Sequence, residues 1–209
     1  MNGKRDWSRR RTRPWALSLV GGTSYHGVLW SHAVVSTSIR SSSRSQPLLT
    51  FLEQTKSHFV NGYGALNPAR ITSTVGLNIG KVEINNTCLN FWDLGGQEDL
   101  RTLWSSYYDE ANAMIFVVDA TRRDLFAEVA SVFREVISNE YVQRMPILVA
   151  VNKSEIDGAA EAAEVRRILH DDQHIGDLAV LPVSALEGTN IDRCVRWIVR
   201  TLASAPLYL

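Results

Sequence analysis

A chain of 209 residues, 45% hydrophobic, with 22 Lys/Arg balanced by 22 Asp/Glu, suits one α/β domain with a sizeable core. No apolar stretch approaches the roughly 20 residues that span a bilayer, so the expectation is a soluble or only peripherally attached protein. Two cysteines, Cys88 in a predicted strand and Cys194 in a predicted helix, exclude a disulfide framework and read as small buried apolar residues in a reduced compartment.

Charge is uneven along the chain. Residues 1–50 hold eight Lys/Arg against one acid, Asp6, a net of +7, while the remainder carries 14 basic and 21 acidic residues. A composition boundary near Leu48 therefore divides a basic, Ser/Arg-rich segment, 1–47, from a predicted domain, 48–205. The first segment, with Ser41-Ser42-Ser43, has no long amphipathic period and is expected to be disordered or the product of a mistaken exon. Its basic cluster from Arg9 to Arg13 reads as a solvated tail, and no nucleic-acid partner is expected.

In the second part, a helix is expected over Leu48–Phe59, and a hairpin over Gly76–Ile84 and Thr87–Asp93 turns at Asn85-Asn86. A short helix, Leu100–Tyr107, precedes a strand over Ala113–Asp119 and an amphipathic helix over Leu125–Ser138. A strand 147–151, a helix 159–170, a strand 178–183 and a helix 191–202 complete the series. Strand-like and helix-like runs alternate, as a mostly parallel, doubly wound sheet with flanking helices requires.

Three strand ends carry polar groups, where open α/β sheets place their ligands. Trp92-Asp93-Leu94-Gly95-Gly96-Gln97-Glu98 puts Asp93 where a carboxylate can hold Mg²⁺, usually through water. Without Cβ atoms, Gly95 and Gly96 let the backbone approach a terminal phosphate, and Gln97 stands where an amide orients an attacking water. The apolar run Pro146–Val151 ends in Asn152-Lys153-Ser154-Glu155, a guanine-reading pattern whose acid accepts from the ring N–H and amino group while the Lys stem packs on the base. Leu178–Val183 ends in Ser184-Ala185-Leu186, a loop that can offer backbone contacts to the guanine oxygen. His58, His170 and His174 are too scattered for a metal site or a catalytic base.

Together these elements resemble the Ras-superfamily GTPases, and in detail the Arf family. Thr72-Ser73-Thr74-Val75-Gly76-Leu77-Asn78 is similar to the Arf switch I, which implies Thr74 as a Mg²⁺ ligand. The resemblance runs from about Phe51 to about Leu202, is strongest to Arf-related proteins of the trans-Golgi, and includes the spacings of 19 residues from Thr74 to Asp93 and 59 from Asp93 to Asn152. It implies a P-loop NTPase-type fold, GTP/GDP and Mg²⁺ as cofactors, and an exchange factor, a GTPase-activating protein and effectors as partners. An effector patch at Leu77, Trp92 and Tyr107 is implied too, with a switch governing vesicle traffic on the cytoplasmic face of the Golgi membrane. No myristoylation signal is present, since residue 2 is Asn.

The chain departs from that family in two places. A GTPase of this type begins with a central strand entering G-x-x-x-x-G-K-[ST], whose N–H groups and Lys cradle the phosphates. Thr50-Phe51-Leu52-Glu53-Gln54 resembles the segment after that loop, and counting back without gaps puts its glycines at Ser42 and Pro47, its lysine at Leu48 and its Mg²⁺-binding Thr at Leu49. GTPase activity is therefore implied by resemblance while the loop that supports it is missing or replaced. Val34–Ile39, rich in β-branched residues, lies at the right distance to fill the strand slot. Three readings of residues 1–50 stay open: a mistaken exon, a mitochondrial transit peptide, or a pseudo-GTPase scaffold with little nucleotide binding. Glu155 is the second departure, since the family has Asp there; the extra methylene predicts weaker, less selective guanine binding, and Asp157 lies two residues too late to substitute.

Overall fold

The computed structural model describes residues 30–38, 47–64, 77–84, 87–169 and 174–204. Six strands, β1 (Trp30–Ser38), β2 (Leu77–Ile84), β3 (Thr87–Leu94), β4 (Ala113–Asp119), β5 (Ile147–Asn152) and β6 (Leu178–Val183), form one sheet in the order β2-β3-β1-β4-β5-β6. β2 runs antiparallel to β3, and every other pairing is parallel. Among the described residues, five α-helices flank it: α1 (Pro47–Phe59), α2 (Glu98–Arg101), α3 (Phe126–Ser138), α4 (Ala162–Leu169) and α5 (Ile191–Ser204).

β4 and β5 are apolar at nearly every position and buried throughout, because helices cover both faces of the sheet. Alternation then divides the core. Met114, Phe116, Val118, Ile147, Val149 and Val151 face α3 and α4, with the Phe116 and Phe133 rings edge to face at 5.2 Å. Ala113, Ile115, Val117, Leu148 and Ala150 face α1 and α5, where Phe51, Leu52, Val195 and Ile198 meet them. Gly80 lets α1 pack closely on β2: a Cβ there would lie 2.4 Å from Leu52 Cδ2 and make that side chain shift.

The structure places the boundary of the folded unit earlier than composition does. β1 is central, pairing Trp30–Thr37 with Thr87–Leu94 of β3 and Val34–Ser38 with Ala113–Val117 of β4. Residues 1–47 are therefore not wholly outside the domain: two parallel neighbours need a strand between them, and 30–38 supplies it. Chain connections diverge to either side of β1, so the carboxyl ends of β1, β3 and β4 frame the crevice where such sheets bind ligands.

Three other expectations shift. The predicted helix Leu100–Tyr107 is split into α2 and a 3₁₀ turn at Trp104–Tyr107, since the Leu103 and Ser106 N–H groups bond three residues back and Trp104 Nε1 donates to Gly95 O at 3.0 Å. α4 starts at Ala162 rather than 159, because the Ala160 N–H is taken by Ala120 O beyond β4. β3, β5 and α5 run one or two residues longer than predicted. Thr74, Gly76, the turn Asn85-Asn86, His170 and the stretch 39–46 lie outside the described residues.

Candidate nucleotide-binding site

The best-formed part of the crevice is built where β4, β5 and β6 end. Asn152, at the last position of β5, is 4% exposed, and its Oδ1 accepts the Ala185 backbone N–H at 2.9 Å. This bond ties the loop after β6 to the end of β5. Ser184, fully buried, holds the same loop by accepting the Glu187 N–H on Oγ and donating its own N–H to Thr189 O. Gln54 of α1 donates to Leu186 O at 3.1 Å. The turn also depends on Gly188, at φ +78°, where a Cβ would stand 3.0 Å from His58 Nε2 and 3.2 Å from Gln54 Oε1.

Lys153, in the left-handed region at φ +67°, turns its side chain back across the site. Its Nζ pairs with Asp119 Oδ2 at 2.7 Å, and Asp119 Oδ1 accepts from the Thr121 hydroxyl and backbone N–H. Burial pushes the Asp119 carboxyl up, but the hydrogen bonds from Lys153 and Thr121 outweigh it and leave the group below the ordinary carboxylate range. Neither Asp119 nor Thr121 was expected from sequence. Asp119 closes an apolar strand as Asp93 and Asn152 do and faces Asn152 in register, so the same strand-end rule would have found it. Gln54 carries no such signal, since its loop partner is 132 residues away.

Glu155 follows Lys153 by two residues, and its Oε2 is buried with no hydrogen-bond partner. A carboxylate oxygen in that condition is costly unless a donor meets it, and a ligand with two adjacent N–H groups is such a donor. Leu186 is exposed and leaves its loop open to a ligand. The groups expected to read a base are thus held in place at these strand ends.

The phosphate side is different. Asp93 is buried at the end of β3, and Gly95 is buried beside it. Trp104 Nε1 holds Gly95 O, and Arg101, itself 2.6 Å from Glu128, reaches Gly96 O at 3.4 Å. Gln97 precedes α2 in an extended conformation and makes no cap bond to it. A carboxylate at Asp93 suits a hard cation, but the predicted second ligand, Thr74, is among the undescribed residues. Leu48 and Leu49 fall inside the first turn of α1, where neither can supply an ammonium or a hydroxyl. The residues present fit the base of a nucleotide and do not reproduce the phosphate cradle.

Trp92 and Tyr107 are brought together, and Leu77 stands nearby on the neighbouring strand. The Trp92 and Tyr107 rings meet edge to face at 5.8 Å, and Trp92 stands opposite exposed Ile79 across the β2–β3 ladder. Leu77 opposes Leu94 two pairs further along and is also exposed. Ile79 was not anticipated, although period-2 alternation from Leu77 points to it.

A doubly wound sheet with this switch sequence and a fixed loop pair at β5 and β6 defines the class of small GTP-binding regulatory proteins. The comparisons agree. The model of the ADP-ribosylation factor family matches residues 53–202, and the chain belongs to that family. ADP-ribosylation factor-related protein 1 of Rattus norvegicus is 38% identical over 154 residues, covering 72% of this chain and 77% of the relative. ADP-ribosylation factor-like protein 3 of Saccharomyces cerevisiae is 33% identical over the same length, with the same coverages. Among solved structures, the Arl6 BBS3 small GTPase of Trypanosoma brucei, with the nucleotide analogue GppNp bound, superposes with a TM-score of 0.71 at 26% identity, covering 84% of this chain and 99% of that one. Family membership thus carries guanine-nucleotide binding as the general expectation for this fold.

Proposed function

We propose that this protein is an Arf-related regulator of Golgi and vesicle traffic that engages guanine nucleotide mainly through the base. The observation that carries the reading is the Asn152 bridge to Ala185 together with the unpartnered Glu155 Oε2. In this reading Asn152, Lys153, Glu155 and the Ser184-Ala185-Leu186 loop hold the base. Asp93, with Thr74, holds Mg²⁺, Gly95 and Gly96 contact the terminal phosphate, and Gln97 orients water. Leu77, Trp92 and Tyr107, joined by Ile79, receive an effector, while an exchange factor and a GTPase-activating protein act on the switches. The working place is the cytoplasmic face of the trans-Golgi, with the mitochondrion as the alternative if residues 1–47 serve as a transit peptide.

A second reading is favoured by Leu48 and Leu49 standing where a lysine and a threonine are needed: a scaffold that keeps the partner surface without nucleotide switching. Titrating fluorescent GDP and GTP analogues into the full chain and into Glu155→Ala separates the two. Binding that Glu155→Ala abolishes supports the first; no binding to either, with partner capture that ignores nucleotide, supports the scaffold and refutes the first.

A further inference from the structure

Helix α5 carries a second site away from the crevice. Its Ile191, Cys194, Val195, Ile198 and Leu202 are buried against the sheet. That leaves Arg193, Arg196 and Arg200 pointing outward, within about 60° of one another around the axis and spread along roughly 10 Å of it. With Asp192, Trp197 and Leu181 of β6 they line a shallow groove that is open to solvent.

Arg196 is already engaged, 3.8 Å from Asp192 and 5.8 Å from the centre of the Phe59 ring. Arg193 and Arg200 have no acidic partner among the described residues. The concentration of positive charge is local, for residues 51–209 hold 14 basic and 21 acidic side chains.

Several occupants are disfavoured on physical grounds. A second copy placed symmetrically would set arginines against arginines. The chain's own first 50 residues, at +7, repel the groove likewise. Strand addition at the free edge of β6 is blunted: Val183 O faces β5, so the outward groups belong to Leu178, Val180 and Pro182. Pro182 has no N–H, and its carbonyl is taken by Asn190 Nδ2 at 2.9 Å. A purely anionic ligand, such as a phosphorylated headgroup, would leave the Trp197 and Leu181 surface uncovered.

We propose that this groove docks an acidic segment of a partner protein, with carboxylates on Arg193 and Arg200 and an apolar side chain between them on Trp197 and Leu181. Arg–carboxylate pairs supply directional, charge-assisted hydrogen bonds, and the Trp197 face supplies apolar contact. The site does not depend on nucleotide binding.

Fluorescence anisotropy of a labelled hexapeptide, Glu-Asp-Phe-Glu-Leu-Glu, with the full-length chain tests this. Binding should weaken by roughly tenfold or more in Arg193→Gln/Arg200→Gln, the loss of two charge-assisted contacts, while the thermal midpoint stays put because both side chains are exposed. Arg9→Gln/Arg10→Gln/Arg11→Gln should bind as the unaltered chain does. Equal binding by the double variant, loss in the N-terminal variant alone, or equal affinity for Gln-Asn-Phe-Gln-Leu-Gln would each overturn the proposal. So would failure of the peptide where inositol hexakisphosphate, phosphatidylserine vesicles or self-association shows the Arg193 and Arg200 dependence.

Discussion

Replacing Asn152 by Ala tests whether one side chain holds the base loop. The Asn152 Oδ1 to Ala185 N–H bond is 2.9 Å long, and Ala185 is only 2% exposed, so water cannot replace the lost acceptor. Removing one partner so that a buried N–H is left unsatisfied costs about 1–3 kcal/mol, so Asn152→Ala should destabilise the protein by about that much. At roughly 2–4 °C per kcal/mol for a domain of this size, the midpoint should fall by about 2–12 °C. Hydrogen exchange supplies a local readout. The Ala185 amide should lose protection beyond the global loss, whereas amides in the middle of β4 should track global stability alone. Fluorescent GDP affinity should fall with it. The reasoning fails if the Ala185 amide keeps its protection relative to β4, because the loop would then be held by Ser184, Gln54 and Gly188 without Asn152.

Three other outcomes follow from the same site. Asp119 sits below the ordinary carboxylate range in the fold, so its pairing stabilises the protein above the unfolded-chain value of about 3.9 and is lost as pH falls through the lower folded value. Denaturant melts across acid pH should therefore show the stability gap between the unaltered chain and Asp119→Asn closing below about pH 4; a gap constant with pH refutes that account. Glu155→Asp should raise guanine-nucleotide affinity by roughly fivefold, about 1 kcal/mol, and sharpen discrimination against adenine in competition titrations, and unchanged affinity would dismiss the extra methylene as the cause. Gly188→Ala should cost about 1–2 kcal/mol from its left-handed φ alone, plus the displacement of His58 and Gln54, read as a lowered thermal midpoint with a reorganised Leu186 loop in its amide spectrum.

Local sequence was sufficient wherever a segment's own period or end group fixed its role. The runs Ala113–Asp119 and Leu178–Val183 are strands to the residue. Continuous apolar stretches of that length, bounded by polar residues, are too short for most helices and suit buried or half-buried strands. Strand-end polarity likewise marked Asp93, Asn152 and Ser184, and the order of motifs marked the family. Tertiary structure decided what depends on partners far along the chain. It decided between two signals for residues 30–38, placing them in the middle of the sheet as the β-branched run Val34–Ile39 allows, against the Ser/Arg-rich composition of residues 1–47. It took the Ala160 N–H from α4, broke the predicted helix at Trp104 to reach Gly95, paired Lys153 with Asp119, and brought Gln54 to Leu186. The Trp104–Gly95 bond spans only nine residues, but the others join groups 34 to 132 residues apart, which meet only after the sheet and its two helix layers have closed.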